Sequence, residues 1–119
     1  MWQEYFGPGA QIYGVDIQEA CRKFERDGVK IVIGDQADRE FWKRFKQEVP
    51  QLDILIDDGG HEAHQQIATF EEMFSHLSPG GIYLCEDIHG IDHGFTKYVA
   101  GTAACMNVIV PNPATTVTT

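Results

Sequence analysis

The chain has 119 residues, 43% of them hydrophobic, and a formal net charge of −9 from 18 acidic and 9 basic side chains. That length fits one domain, and the apolar content argues against disorder. The acidic balance disfavours nucleic acid and anionic membrane surfaces, which are gripped by clustered Lys and Arg; it suits a protein that holds a cation.

In chain order, Phe6 to Ala10 (FGPGA) reads as a turn, not a phosphate loop, because it precedes a strand instead of following one. Trp2 and Tyr5 before it look like the end of a helix. Ile12 to Asp16 is a short strand ending in an acid. Gln18 to Asp27 is charged and helix-like, closing at Gly28. Val29 to Ile33 is a second apolar run, ended by Gly34-Asp35. Asp38 is placed to cap a helix over Arg39 to Glu48, whose Phe41, Trp42 and Phe45 fall on one stripe. Leu52 to Ile56 is a third strand, and His61 to Leu77 a long helix with Ile67, Phe70, Met73, Phe74 and Leu77 at helical spacing. Ser78 to Gly81 is a turn before a fourth strand, Ile82 to Cys85.

Strands and helices therefore alternate. The strands are apolar throughout, as expected when helices cover both sheet faces. The expected class is α/β, a Rossmann-like, mostly parallel and incomplete sheet of about four strands with right-handed crossovers. Residues 1–100 form the domain, and 101–119 read as a Thr-rich tail with Val108-Ile109-Val110 as an edge strand followed by disorder. Cys21, Cys85 and Cys105 contain no C-x-x-C pair, so neither a disulfide framework nor a zinc knuckle is expected. No apolar run approaches a membrane span and the N-terminus does not read as a signal peptide, so a reducing, cytoplasmic setting is expected.

Ligands of open α/β sheets bind outside the carboxyl ends of the strands. All four strands deliver polar residues there: Asp16; Asp35 and Gln36; Asp57, Asp58 and His61; and Glu86 with Asp87. Asp16 suits a ribose diol, the plainer reading being a helix cap. Asp35 and Gln36 could read an adenine, the plainer reading being turn chemistry. In DDGGH the two glycines permit a tight turn and close approach of a ligand. Carboxylates crowded in one crevice call for a hard cation such as Mg²⁺, beside which His61 could act as a base. The plainer reading makes the aspartates helix caps and His61 a solvated first-turn residue. HEAHQ is not a zincin motif, since its second histidine, His64, comes one residue early. His76 reads as a surface residue, whereas His89 and His93 follow Glu86-Asp87 closely enough to line a substrate side.

Together MWQEYFGPGAQIYGVDI, VIGDQAD and LDILIDDGGHEAHQQIATFEEMFSHLSPGGIYLCED resemble class I S-adenosylmethionine-dependent methyltransferases, over roughly residues 1–88. Within that class the likeness is to the metal-dependent sugar O-methyltransferases of macrolide biosynthesis and related cephalosporin-type enzymes. The resemblance implies that Asp16 holds the ribose of S-adenosylmethionine and that Asp35 and Gln36 contact the adenine. It implies that Asp58, Glu86 and Asp87 bind Mg²⁺, which holds a vicinal diol of a glycosylated small-molecule substrate, and that His61 takes the hydroxyl proton. Asp57 would face the cofactor. The family places a first strand and a glycine-rich loop before the helix ending near Tyr5, with that strand between those ending at Asp16 and Asp57. A fragment is therefore expected. The alternative to an enzyme is a non-catalytic piece or a subunit needing a partner to complete its sheet, and homo-oligomerisation stays open. A nicotinamide enzyme is disfavoured by the missing dinucleotide fingerprint.

Overall fold

The computed structural model describes residues 2–88 and 92–102. The expectations placed on His89 and on the tail from residue 103 onward lie outside them. Helix α1 (Trp2–Phe6) leads into strand β1 (Ile12–Asp16), then β2 (Val29–Ile33), α2 (Arg39–Glu48), β3 (Leu52–Asp57), α3 (Ala63–Met73), β4 (Leu77–Cys85) and α4 (Gly94–Thr102). The class is α/β with parallel strands. β1 pairs β2 in parallel, from Ile12 opposite Val29 to Asp16 opposite Ile33, and β3 pairs β4 in parallel. These are two separate two-stranded sheets. Between them lies a trough of about 920 Å³ that follows β1 and β3 along their whole length.

Helix α2 forms as its sequence dictates. The Asp38 side chain accepts a hydrogen bond from the Glu40 amide at 3.0 Å and so satisfies one of the helix's free donors. Phe41, Trp42 and Phe45 are buried together with Val49 and Met73, and Tyr13, Val15, Val32, Leu52 and Leu55 of the strands pack against them. The core of both strand pairs is thus organised by one helix. A second cluster, Phe70, Phe95 and Val99, joins α3 to α4 and to Tyr83 and Cys85 of β4.

Four sequence expectations are corrected. The segment expected as a helix from Gln18 to Asp27 is only a 3₁₀ turn, Glu19–Phe24. Its apolar positions Ile17, Ala20, Cys21 and Phe24 fall at helical spacing but find little to pack against, with Ile17 and Phe24 65% and 61% exposed, and a short helix without such packing is marginal. The long helix ends at Met73, with a 3₁₀ turn over Phe74–His76. The Ser78–Gly81 turn lies inside β4, where Leu52 faces Leu77 but Ile54 already faces Ile82. The extra residues loop out, held by a 2.7 Å bond from the Ser78 hydroxyl to Asp53 Oδ1. Among the described residues, helices also do not cover both faces of the second pair. Leu55, Tyr83 and Cys85 meet the packed helices, whereas Ile54, Ile82 and Leu84 on the other face are 40%, 58% and 40% exposed.

Polar contacts fasten α3 to its neighbours. Lys46 Nζ donates to the Glu72 carbonyl at 2.8 Å, and Arg39 pairs with Glu71 at 2.7 Å. The Tyr98 hydroxyl donates to Glu71 Oε1 at 2.7 Å. The Tyr98 phenol and the Arg39 guanidinium hold the Glu71 carboxyl below its ordinary value. A depressed folded value means that the stability Glu71 adds is present above its unfolded value and is lost as pH falls through the folded one. Glu71→Gln is therefore expected to flatten the acid limb of a thermal-stability profile recorded from neutral pH to below pH ~4. An unchanged limb would remove this link.

Candidate active site

The trough opens at the carboxyl ends of the strands, where Asp16, Gln36, Asp57, Asp58 and Glu86 all line it. Local chemistry delivers each. Asp16 ends β1, exposed, with Oδ1 accepting the Gln18 amide at 2.8 Å. Asp35 is exposed after β2, and its Oδ1 accepts the Ala37 amide at 2.9 Å, closing the turn that hands the chain to α2. The Glu86 amide bonds the Asp57 carbonyl at 2.8 Å, so the ends of β3 and β4 stay in register and their acids lie side by side.

Asp57 and Gln36 come together. Asp57 is 6% exposed. Gln36 Nε2 donates to both of its oxygens, at 3.0 and 3.2 Å, and the Gly59 amide donates to Oδ1 at 3.3 Å. Burial pushes the Asp57 carboxyl above its ordinary range, while the Gln36 and Gly59 bonds pull the other way. The Tyr83 phenol lies against Asp57 short of hydrogen-bond geometry, and burial beside that carboxylate raises the phenol strongly. The cofactor-facing role expected of Gln36 and Asp57 from sequence thus meets polar atoms already engaged within the protein. What spacing alone could not reveal is that residues 36 and 57 face each other across the ends of two strands.

Asp58, His61 and Asp87 remain exposed, with Glu86 half-buried. His61 Nδ1 lies 3.7 Å from Asp87 Oδ2. Burial raises the Glu86 carboxyl, and the nearby charges of Asp58 and Asp87 raise it further. The charges of Asp58 and Asp87 both reach Glu86, and carboxylate oxygens are the donors a hard cation takes. Their chemistry fits such an ion. Among the described residues, though, no three His, Cys, Asp or Glu side chains converge on one point. His93, expected at the substrate side, instead works on the backbone. Its Nδ1 accepts the Phe95 amide at 3.2 Å, which leaves Nε2 to donate to the His61 carbonyl at 3.1 Å. His76 bonds the Val49 carbonyl at 2.8 Å and is structural.

Asp87 has φ +56°, and among the described residues no other side-chain-bearing residue has positive φ. Aspartate tolerates this left-handed conformation better than alanine does, because its short polar side chain can bond locally. Strain held beside two other acids and a histidine is typical of a functional position.

No family model matches the chain. Over 88 residues it is 39% identical to the mycinamicin VI 2''-O-methyltransferase of Micromonospora griseorubida, spanning 74% of this chain and 22% of that protein. It is 35% identical over 88 residues to the demethylmacrocin O-methyltransferase of Streptomyces fradiae, with the same coverage. It is 37% identical over 101 residues to the L-olivosyl-oleandolide 3-O-methyltransferase of Streptomyces antibioticus, covering 85% of this chain and 24% of that one. Among solved structures, the MycE methyltransferase of the mycinamycin pathway, in complex with Mg, SAH and mycinamycin VI, superposes with a TM-score of 0.69 at 37% identity. That match covers 72% of this chain and 22% of MycE. The chain thus spans under a quarter of the length of these relatives. Over the matched span it is homologous to sugar O-methyltransferases and carries part of the methyltransferase fold.

The backbone at Asp87 can be tested apart from chemistry. Asp87→Ala is expected to lower the unfolding free energy in urea by about 1 kcal/mol, whereas Asp87→Gly should preserve or raise it. Equal stability of the alanine variant and the parent would show that no strain resides there.

Proposed function

We propose that the protein is part of an S-adenosylmethionine- and Mg²⁺-dependent O-methyltransferase acting on a sugar hydroxyl of a glycosylated natural product. One observation carries the reading. Asp58 follows β3 and Glu86-Asp87 follows β4, the two strand ends are joined by the bond from the Glu86 amide to the Asp57 carbonyl, and His61 Nδ1 lies 3.7 Å from Asp87 Oδ2 beside them. The named activities of the homologous proteins support the methyl transfer and the sugar acceptor.

In this reading the exposed carboxylate of Asp16 accepts hydrogen bonds from the ribose diol, and Asp35 receives the adenine amino group. Asp58, Glu86 and Asp87 hold the cation. When bound, S-adenosylmethionine supplies an electrophilic methyl group and Mg²⁺ eases loss of the acceptor's proton. His61 accepts that proton from the attacking hydroxyl, and the Asp87 carboxylate stabilises the imidazolium that forms. With the cofactor bound, the methyl C–S bond would be exchanged for a C–O bond to the acceptor, and the electron pair would stay on sulfur. The protein's own contribution is placement and charge management.

A second reading has its own support. Two strand pairs separated by a trough suit a non-catalytic piece, or a subunit that needs a partner to complete its sheet. Calorimetric titration with S-adenosylhomocysteine, with and without Mg²⁺, separates the two. Binding of both ligands supports the enzyme, and binding of neither supports the partner-requiring piece. Where methyl transfer is measurable, His61→Ala is expected to leave S-adenosylhomocysteine affinity intact and cut kcat by about 100-fold or more. Unchanged kcat would remove His61 from the base role.

A further inference from the structure

The side chain of Gln36 brackets Asp58 from both sides. Its Nε2 holds the carboxylate of Asp57, the residue before Asp58, while its Oε1 accepts the amide of Gly60, two residues after it, at 2.5 Å. Gln36 is itself fixed. Its carbonyl accepts the indole N–H of buried Trp42 at 2.8 Å, and its Nε2 lies 3.1 Å from the Thr69 hydroxyl of α3. The amide therefore ties the turn after β3 to the aromatic core of α2 and to α3.

This contact also explains the two glycines of DDGGH. A Cβ at Gly59 would lie 2.2 Å from Gln36 Oε1, and one at Gly60 would lie 1.9 Å from Gln65 Oε1. Gln65 has its own duty, since its Oε1 accepts the Glu62 amide at 3.2 Å and completes the capping box of α3. Two side-chain amides thus press on the turn where it needs bare backbone. The glycines make room for protein side chains, whatever ligand the turn meets.

We propose that Gln36 is a positioning residue: by bonding Asp57 and Gly60 together it fixes the direction in which Asp58 and His61 leave the sheet. The proposal rests on the reading of Asp58 as a cation ligand for its metal readout, and on the amide geometry alone for its backbone readout. Removing Gln36 frees the turn while leaving Asp58, His61, Glu86 and Asp87 chemically intact.

Two measurements on this chain test it. Amide exchange followed by NMR should show the Gly60 amide protected in the parent and exchanging about tenfold faster or more in Gln36→Ala. Mg²⁺ titration should show about tenfold weaker binding in both Gln36→Ala and Gln36→Glu, the usual cost of losing a partner that orients a ligand. In Gln36→Glu a buried carboxylate faces Asp57 where a donor stood. The polarity-swapped double variant Gln36→Glu with Asp57→Asn restores a donor opposite an acceptor and keeps the Gly60 bond. It should bind Mg²⁺ within about threefold of the parent. Mere loss of packing would not be reversed by that swap. Parent-like Mg²⁺ binding in both single variants overturns the proposal, as does a folded double variant that binds no better than Gln36→Glu. An unprotected Gly60 amide in the parent also overturns it. A protected Gly60 that loosens in Gln36→Ala, in a parent that binds no Mg²⁺, upholds the positioning role and removes the cation reading instead.

Discussion

A carboxylate at the end of a strand inside a packed sheet cannot shed its charge into water, so it must find donors or give up ionisation. Asp57 meets this constraint with an amide from one neighbouring loop and a backbone N–H from its own turn. Those bonds dictate much of what surrounds them. Gln36 stands at the end of β2 facing inward, and a Cβ at residue 59 would push its amide aside. The next acid along the chain, Asp58, is then turned outward toward solvent. One buried acid gives direction to an exposed one. Adjacent aspartates in the sequence carry opposite duties because the β pleat and the turn send them to opposite environments.

The same division of labour appears in the histidines. His76 and His93 both donate to backbone carbonyls, at Val49 and His61, and so work as structural pegs. His61 keeps its ring at the surface beside Asp87. Four acids and the exposed imidazole ring of His61 at the ends of β1, β3 and β4 are therefore held by a frame of amides, pegs and aromatic packing that takes no part in the chemistry proposed for them.

Much of this was legible in the sequence where a local rule and tertiary demand agree. The α2 stripe Phe41, Trp42 and Phe45 with its Asp38 cap needed only periodicity and capping chemistry, and both are present. The delivery of Asp16, Asp57, Asp58 and Glu86 to one trough followed from strand ends alone, although the strands form two sheets. What stayed hidden depended on contacts across the chain. Nothing local marks Gln36 as the partner of Asp57, 21 positions away. The segment after Asp16 carries helix-forming residues and an apolar side, but Ile17 and Phe24 stay exposed instead of pressing on a core, and it settles for a 3₁₀ turn. The SPGG stretch reads as a break, yet Leu77 already pairs with Leu52 before it, so the strand begins earlier than its apolar run.

The uncovered side of β3 and β4 bears on how the molecule behaves in solution. Ile54, Ile82 and Leu84 offer an adhesive patch to any neighbour that approaches. The net charge of −9 makes copies repel one another over about 10 Å at 0.1 M ionic strength, which opposes association through that patch. Added electrolyte shortens that reach and leaves the patch as sticky as before. Any association through this face would therefore depend on the buffer as much as on the fold.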